Sequence, residues 1–141
     1  MVEKVEDFRM NKFVLAKADE GILLLRIAFG LMMMGHGWSK LSGFSGMSAS
    51  FPDPLGVGSP VSLALAIFAE LGCSLLLLLG ALTRLALIPL IITMLVAIFV
   101  AHGNDPWNMK ELAVAYLAVY GVLMLTGPGR YSLDHKLFGG K

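Results

Sequence analysis

Charge is what this chain is short of: charged residues make up 15% of it, against about 25% in an ordinary soluble domain. That shortage excludes a freely solvated globular surface. A single cysteine, Cys73, excludes an intrachain disulfide framework and a paired-cysteine redox centre. A net charge of +1 gives no basic field for nucleic acid. The sequence also lacks a glycine-rich phosphate loop, a dinucleotide fingerprint and a nucleophile elbow, so soluble-enzyme chemistry has no foothold. No cleavable signal peptide is expected, because the first long apolar run is long enough to span a bilayer and follows a charged segment.

What is present is hydrocarbon: 57% of the residues are hydrophobic, and the mean hydropathy is +0.77. A bilayer core of about 30 Å needs roughly 20 apolar residues in helix. Four segments qualify, at 21–39, 60–82, 85–101 and 112–129. The expected class is an all-α integral membrane protein, a four-transmembrane-helix bundle filling 21–129. An N-terminal cytoplasmic or interfacial segment (1–20) precedes it and a cytoplasmic tail (130–141) follows. In the first segment Val5, Phe8 and Leu15 recur at roughly helical spacing among Lys4, Arg9, Lys12 and Lys17, which suits a short interfacial helix. A partly ordered tail is the alternative, since Glu6, Asp7 and Asn11 interrupt the pattern.

Only Thr83 and Arg84 separate the second and third apolar runs, which predicts a tight helical hairpin. Lys and Arg placement sets the orientation. Lys4, Arg9, Lys12, Lys17, Arg84, Arg130, Lys136 and Lys141 fall on one side, and only Lys40 and Lys110 on the other. Both termini are therefore expected in the cytoplasm. The one long connection carries Phe44, Met47, Phe51, Leu55 and Val57 among small residues and is expected to lie at the outer interface, over the bundle.

Against this background Glu70 stands out as the one charge in residues 54–83. An acid at a helix centre costs about 2.5 to 3.5 kcal/mol on insertion scales, so a chain that keeps one uses it or pairs it. Arg26 in the first span is the expected partner. It differs in depth from Glu70 by roughly 9 Å of helical rise, which brings a direct or water-bridged ion pair within reach. Arg26, Gly30, Met33 and Gly37 form one stripe, whose glycines allow a close neighbour. Such a pair could equally be plain structural neutralisation.

His36, His102 and Glu111, from three different spans at similar depth, could begin a proton path toward Glu70, since histidine titrates near neutral pH. They are also a two-His, one-carboxylate set, but no short His-x-x-His or Glu-x-x-His spacing supports a metal, and none is assigned. A haem between the two histidines rests on the same weak signal. Cys73 lies one turn from Glu70, where a buried thiol is more often a small hydrophobe than a reactive group. Tyr116 and Tyr120 form an aromatic stripe in the fourth span that could line a quinone-sized pocket, although packing is the commoner role.

Several short motifs, taken together, carry a resemblance. Arg26-Ile-x-x-Gly30, His36-Gly37-x-x-Lys40, Glu70-Leu-Gly72, Leu79-Gly80-Ala-Leu-Thr83-Arg84, His102, and Gly127-Pro-Gly-Arg-Tyr-Ser-Leu-Asp134 resemble the DoxX family of small bacterial four-span membrane proteins. The resemblance covers residues 21–134. It implies a multi-pass protein of the bacterial cytoplasmic (inner) membrane linked to redox metabolism. Members of the family include a quinone-reducing subunit of thiosulfate oxidation and a membrane partner of oxidative-stress enzymes.

Three functions follow as expectations. The first is a redox-associated subunit that binds a quinone or similar lipophilic molecule around Glu70, with Arg26 as counter-charge. The second is a proton-coupled carrier or channel, for which four spans are few unless the chain forms a homo-oligomer. The third is a non-catalytic anchor for a soluble or membrane redox enzyme. The expected partners are the lipid bilayer, such an enzyme and further copies of the chain.

Overall fold

Backbone in hydrocarbon has no water to bond, so each apolar segment must satisfy its own N–H and C=O groups, and each is a helix. The computed structural model describes residues 2–139, with side chains over 9–139. The four long helices are α1 (Val2–Ser42), α2 (Ser59–Leu79), α3 (Thr83–Ala101) and α4 (Trp107–Thr126). Short helices at Phe44–Met47 and Leu133–Phe138 lie in the α1–α2 connection and after α4. All four long helices are long and apolar enough to cross a membrane.

The N-terminal segment differs from expectation: it is helical, but continuous with the first span. At 1.5 Å per residue, 41 residues make a rod of about 60 Å, twice the hydrocarbon thickness. Asp19 is where α1 meets the rest of the molecule, its Oδ1 accepting the Arg130 N–H at 3.0 Å. Earlier residues project past the bundle, with Met10, Phe13 and Val14 more than 60% exposed. The side chains of Lys4, Val5 and Phe8, and the whole of Lys141, lie outside the described residues.

The connection between α2 and α3 also differs. Residues 80–82 make the turn, and Thr83 and Arg84 already belong to α3. Gly80 takes a left-handed φ of 69°, where a Cβ would collide with the Arg26 guanidinium and Ser132. Leu82 is the one non-glycine residue at positive φ among the described residues, at 47°. Its strain is held from across the fold: Asp134 accepts the Leu82 N–H at 2.7 Å and the Thr83 N–H at 2.9 Å.

Inside the bundle the core is Met33 from α1, Cys73 and Leu77 from α2, Leu87, Leu90 and Met94 from α3, and Tyr116, Tyr120 and Leu123 from α4. In lipid no hydrophobic force distinguishes helix from tail, so close packing and polar contacts must hold the helices together. Gly37 shows the close packing directly. A Cβ there would sit 2.7 Å from Leu71 N and 2.9 Å from the Glu70 carbonyl carbon, so only glycine lets α1 rest on the α2 backbone at Glu70.

Candidate functional site

Two polar clusters lie within the bundle, one near each end. The end carrying the C-terminal segment is built around Arg26, which is 1% exposed. Its guanidinium donates from Nε to Leu77 O at 2.9 Å and from Nη2 to Leu78 O at 2.9 Å. Nη1 donates to Pro128 O and Tyr131 O, both at 2.8 Å. Arg26 thereby caps the end of α2 and ties it to the Gly127–Asp134 motif. The expected ion pair with Glu70 does not form, because these four carbonyls, at a helix end and in a turn, are nearer partners for the planar fork. Among the described residues only Leu77 O of the four also accepts a backbone N–H, that of Gly80 at 3.1 Å.

Asp134 completes this cluster. Burial, the strongest single influence on it, pushes its carboxyl up. The Thr83 and Leu82 N–H groups, the nearby Thr83 hydroxyl and the Arg26 charge together outweigh burial and hold it below the usual carboxylate range. The Thr83 hydroxyl acts at a distance only, since it makes no hydrogen bond.

Glu70 lies toward the other end, in a π-helical turn at Phe68–Cys73 that interrupts α2. A π turn leaves part of the helical hydrogen-bond ladder out of step, and such turns occur often at functional sites. The Glu70 side chain is 6% exposed, and its Oε2 accepts a hydrogen bond from Lys40 Nζ at 2.6 Å, an ion pair in which Lys40 is 22% exposed. Lys40 was expected in the outer loop. It reaches Glu70 because α1 runs on to Ser42 and Gly37 sets the two backbones in contact. The signal for it was present: Lys40 continues the Arg26, Gly30, Met33, Gly37 stripe by three more residues, on the same helical face.

Around this pair stand hydroxyls without partners. Tyr116, Tyr120 and Ser74 are at most 1% exposed, and no hydrogen bond reaches their oxygens among the described residues. Both tyrosines lie within electrostatic reach of Glu70, and Ser74 borders Tyr120. The Tyr116 ring is gripped edge-on by Phe29 at 5.3 Å and by His36 at 6.1 Å, two turns apart on α1. Cys73 is buried one turn from Glu70 as a free thiol and packs with the core.

The remaining expected members do not converge on this site. His102 pairs its Nδ1 with Asp105 Oδ2 at 2.7 Å inside the short α3–α4 connection, and Glu111 points outward from α4. Among the described residues no three His, Cys, Asp or Glu side chains are placed to hold a metal ion. His36 alone of that set touches the Glu70 neighbourhood, through Tyr116.

Fold and site thus define a four-span membrane protein with a buried glutamate paired to a half-buried lysine among unsatisfied hydroxyls. The DoxX family model matches residues 21–103, and the chain belongs to that family. It is 35% identical to Inner membrane protein YqjF of Escherichia coli over 124 residues, 84% of this chain and 93% of the relative. Uncharacterized membrane protein Rv3486 of Mycobacterium tuberculosis is 30% identical over 86% of this chain and 84% of its own length. Inner membrane protein YphA of Escherichia coli is 30% identical over 82% of this chain and 89% of its own length. No solved structure matches the chain. With four spanning helices and relatives of the inner membrane, it is a multi-pass inner-membrane protein in contact with lipid.

Proposed function

We propose that the protein is a membrane subunit associated with redox metabolism, and that it binds a quinone or similar lipophilic oxygen-bearing molecule beside Glu70. The supporting observation is the set of buried hydroxyls of Tyr116, Tyr120 and Ser74, unpartnered and next to the Lys40–Glu70 pair. A buried polar atom left unpaired costs about 1 to 3 kcal/mol, so three in one place are better explained by a ligand or water that bonds them than by packing.

In this reading the tyrosine hydroxyls donate to a carbonyl oxygen of the ligand. Glu70 exchanges a proton with it while Lys40 balances the charge, the role first expected of Arg26. The π turn lets the Glu70 carboxyl swing between Lys40 and the ligand. His36 lies beside Tyr116 at the edge of the site and gives the proton a route outward, without His102 or Glu111. Electrons come from a redox enzyme partner, since the chain carries no electron-carrier motif of its own. The Lys and Arg bias puts both termini in the cytoplasm, with the Lys40 side of the bundle facing outward.

The test is organic extraction of protein purified from native membranes, with quinone analysis of the wild type and of Glu70→Gln. Quinone should accompany the wild type and be depleted in the variant. A wild type free of quinone, with no effect of the variant on quinone-coupled respiration, overturns the reading.

A further inference from the structure

Hydrogen-bond bookkeeping at Glu70 points to a more particular head group. Lys40 has three N–H donors and bonds one acceptor, Glu70 Oε2. Tyr116, Tyr120 and Ser74 each add an unpartnered hydroxyl. Two Lys40 N–H donors and three hydroxyls, each able to donate, are therefore available to one head group, and a head group rich in acceptors, above all a carboxylate with its four lone-pair directions, can engage them together.

Charge adds a second condition. Lys40 and Glu70 together are neutral, and an anion arriving alone would leave one uncompensated negative charge in a membrane interior. A proton must arrive with it. Among the described residues Glu70 is the one carboxylate facing the site. From α1 the titratable neighbours are Lys40 and His36, and from α4 they are Tyr116 and Tyr120; α2 adds Cys73, and α3 has no ionisable residue between Leu85 and Ala101.

We infer that the protein binds lipophilic carboxylic acids at the Lys40–Glu70 pair, taking up the acid's proton on Glu70 and its carboxylate on Lys40. The ligand O–H bond breaks, its proton forms a new O–H bond on Glu70, and the Lys40 ammonium passes from Glu70 to the ligand carboxylate. Site and ligand keep a net charge of zero throughout. Lys40 is the more exposed partner, at 22% against 6% for Glu70, so the incoming carboxyl group meets the cation first. The inference rests on the reading of this site as a ligand site and extends it to an acid bound together with a proton.

The experiment measures saturable binding of tritiated decanoate to the full chain in nanodiscs, with decanol as the uncharged control and quinone analysis on the same preparations. Wild type should bind decanoate and not decanol, with affinity rising about tenfold per pH unit from about pH 8 to about pH 6, as linkage to one proton requires. Glu70→Gln, fixed in the neutral form, should bind decanoate with no pH dependence. Lys40→Met should not bind it. Should Lys40→Met fail to fold, the double variant with Glu70→Gln carries no unpaired buried charge and must also fail to bind. Binding that survives in the double variant, pH-independent binding by wild type, or no binding by wild type overturns the inference. Decanoate binding without quinone defeats the quinone reading alone. Quinone without decanoate binding defeats the present inference alone.

Discussion

The two ends of this bundle treat buried polarity in opposite ways. At one end Arg26 is surrounded by four carbonyl acceptors and Asp134 closes the hairpin by accepting two N–H groups, which leaves the Thr83 hydroxyl as the one buried side-chain atom without a bond there among the described residues. At the other, the Lys40–Glu70 pair sits beside three buried hydroxyls with no partner. A satisfied network makes one arrangement rigid, whereas an unsatisfied one leaves free energy for something that is not part of the chain. Both ends carry a charge in the hydrocarbon, so the charge alone does not tell structure from function. The satisfaction of its surroundings does.

The sharpest way to break the comparison is at Arg26. Arg26→Met should strand the Leu78, Pro128 and Tyr131 carbonyls and unlatch the 128–131 turn, and is expected to cost about 3 to 5 kcal/mol, enough to lose most folded protein in detergent. Arg26→Lys should recover only part of this, because an ammonium cannot span the fork. Thermal melting with size-exclusion recovery measures both. Near-normal stability of Arg26→Met would remove the case for a structural clamp.

Next in size is Gly37→Ala. Its Cβ meets α2 backbone rather than a flexible side chain, at 2.7 Å from Leu71 N, so the helices must separate, at an expected cost of about 1 to 3 kcal/mol. Unlike the Arg26 variants, it should also part Lys40 from Glu70. Melting and decanoate binding should therefore fall together.

Asp134→Asn isolates the hairpin latch. A carboxyl held below its usual range contributes stability that is complete above its unfolded value, about 3.9, and is lost as pH falls through the lower folded value. Wild type should therefore lose part of its stability only in strong acid, below about pH 4, while Asp134→Asn lacks that part at neutral pH and is flatter toward acid. The expected loss at neutral pH is about 1 kcal/mol, read from melting across an acid series. A parallel acid profile for both proteins would mean that Asp134 does not hold the strained Leu82 turn.

How much of this contrast the sequence carries differs between the ends. Hydropathy and length give the four helices, because the bilayer imposes one dimension on all of them. Glu70 was legible as a cost, and the Gly37 contact as a small residue on the Arg26 stripe. The partner of Glu70 was legible only as one more residue along that stripe. Depth counted from helix ends placed Arg26 within reach and Lys40 in a loop, since nothing local in the sequence says that α1 runs to Ser42 or that α2 opens into a π turn at Phe68–Cys73. The carbonyls that claim Arg26 are backbone groups, present in every sequence and visible only once a helix end and a turn are placed against it. The partner of His102 was hidden for a related reason: Asp105 lies three residues along, in a turn read only as a connection.

The smallest expected effect is the most discriminating. Tyr120→Phe removes a hydroxyl of a residue that is 0% exposed, which lies beside the Ser74 side chain and completes no hydrogen bond among the described residues. A buried hydrogen-bonded hydroxyl contributes about 1 kcal/mol, and one without a partner contributes nothing or costs free energy. Ligand-free Tyr120→Phe should melt at or slightly above the wild-type temperature, and Tyr116→Phe likewise. Both should weaken decanoate binding, because the donor they lack then goes missing from the bound head group. Destabilisation of the ligand-free protein by 1 kcal/mol or more, with binding intact, would make these hydroxyls part of the scaffold, and the two ends of the bundle would then differ only in which groups satisfy them.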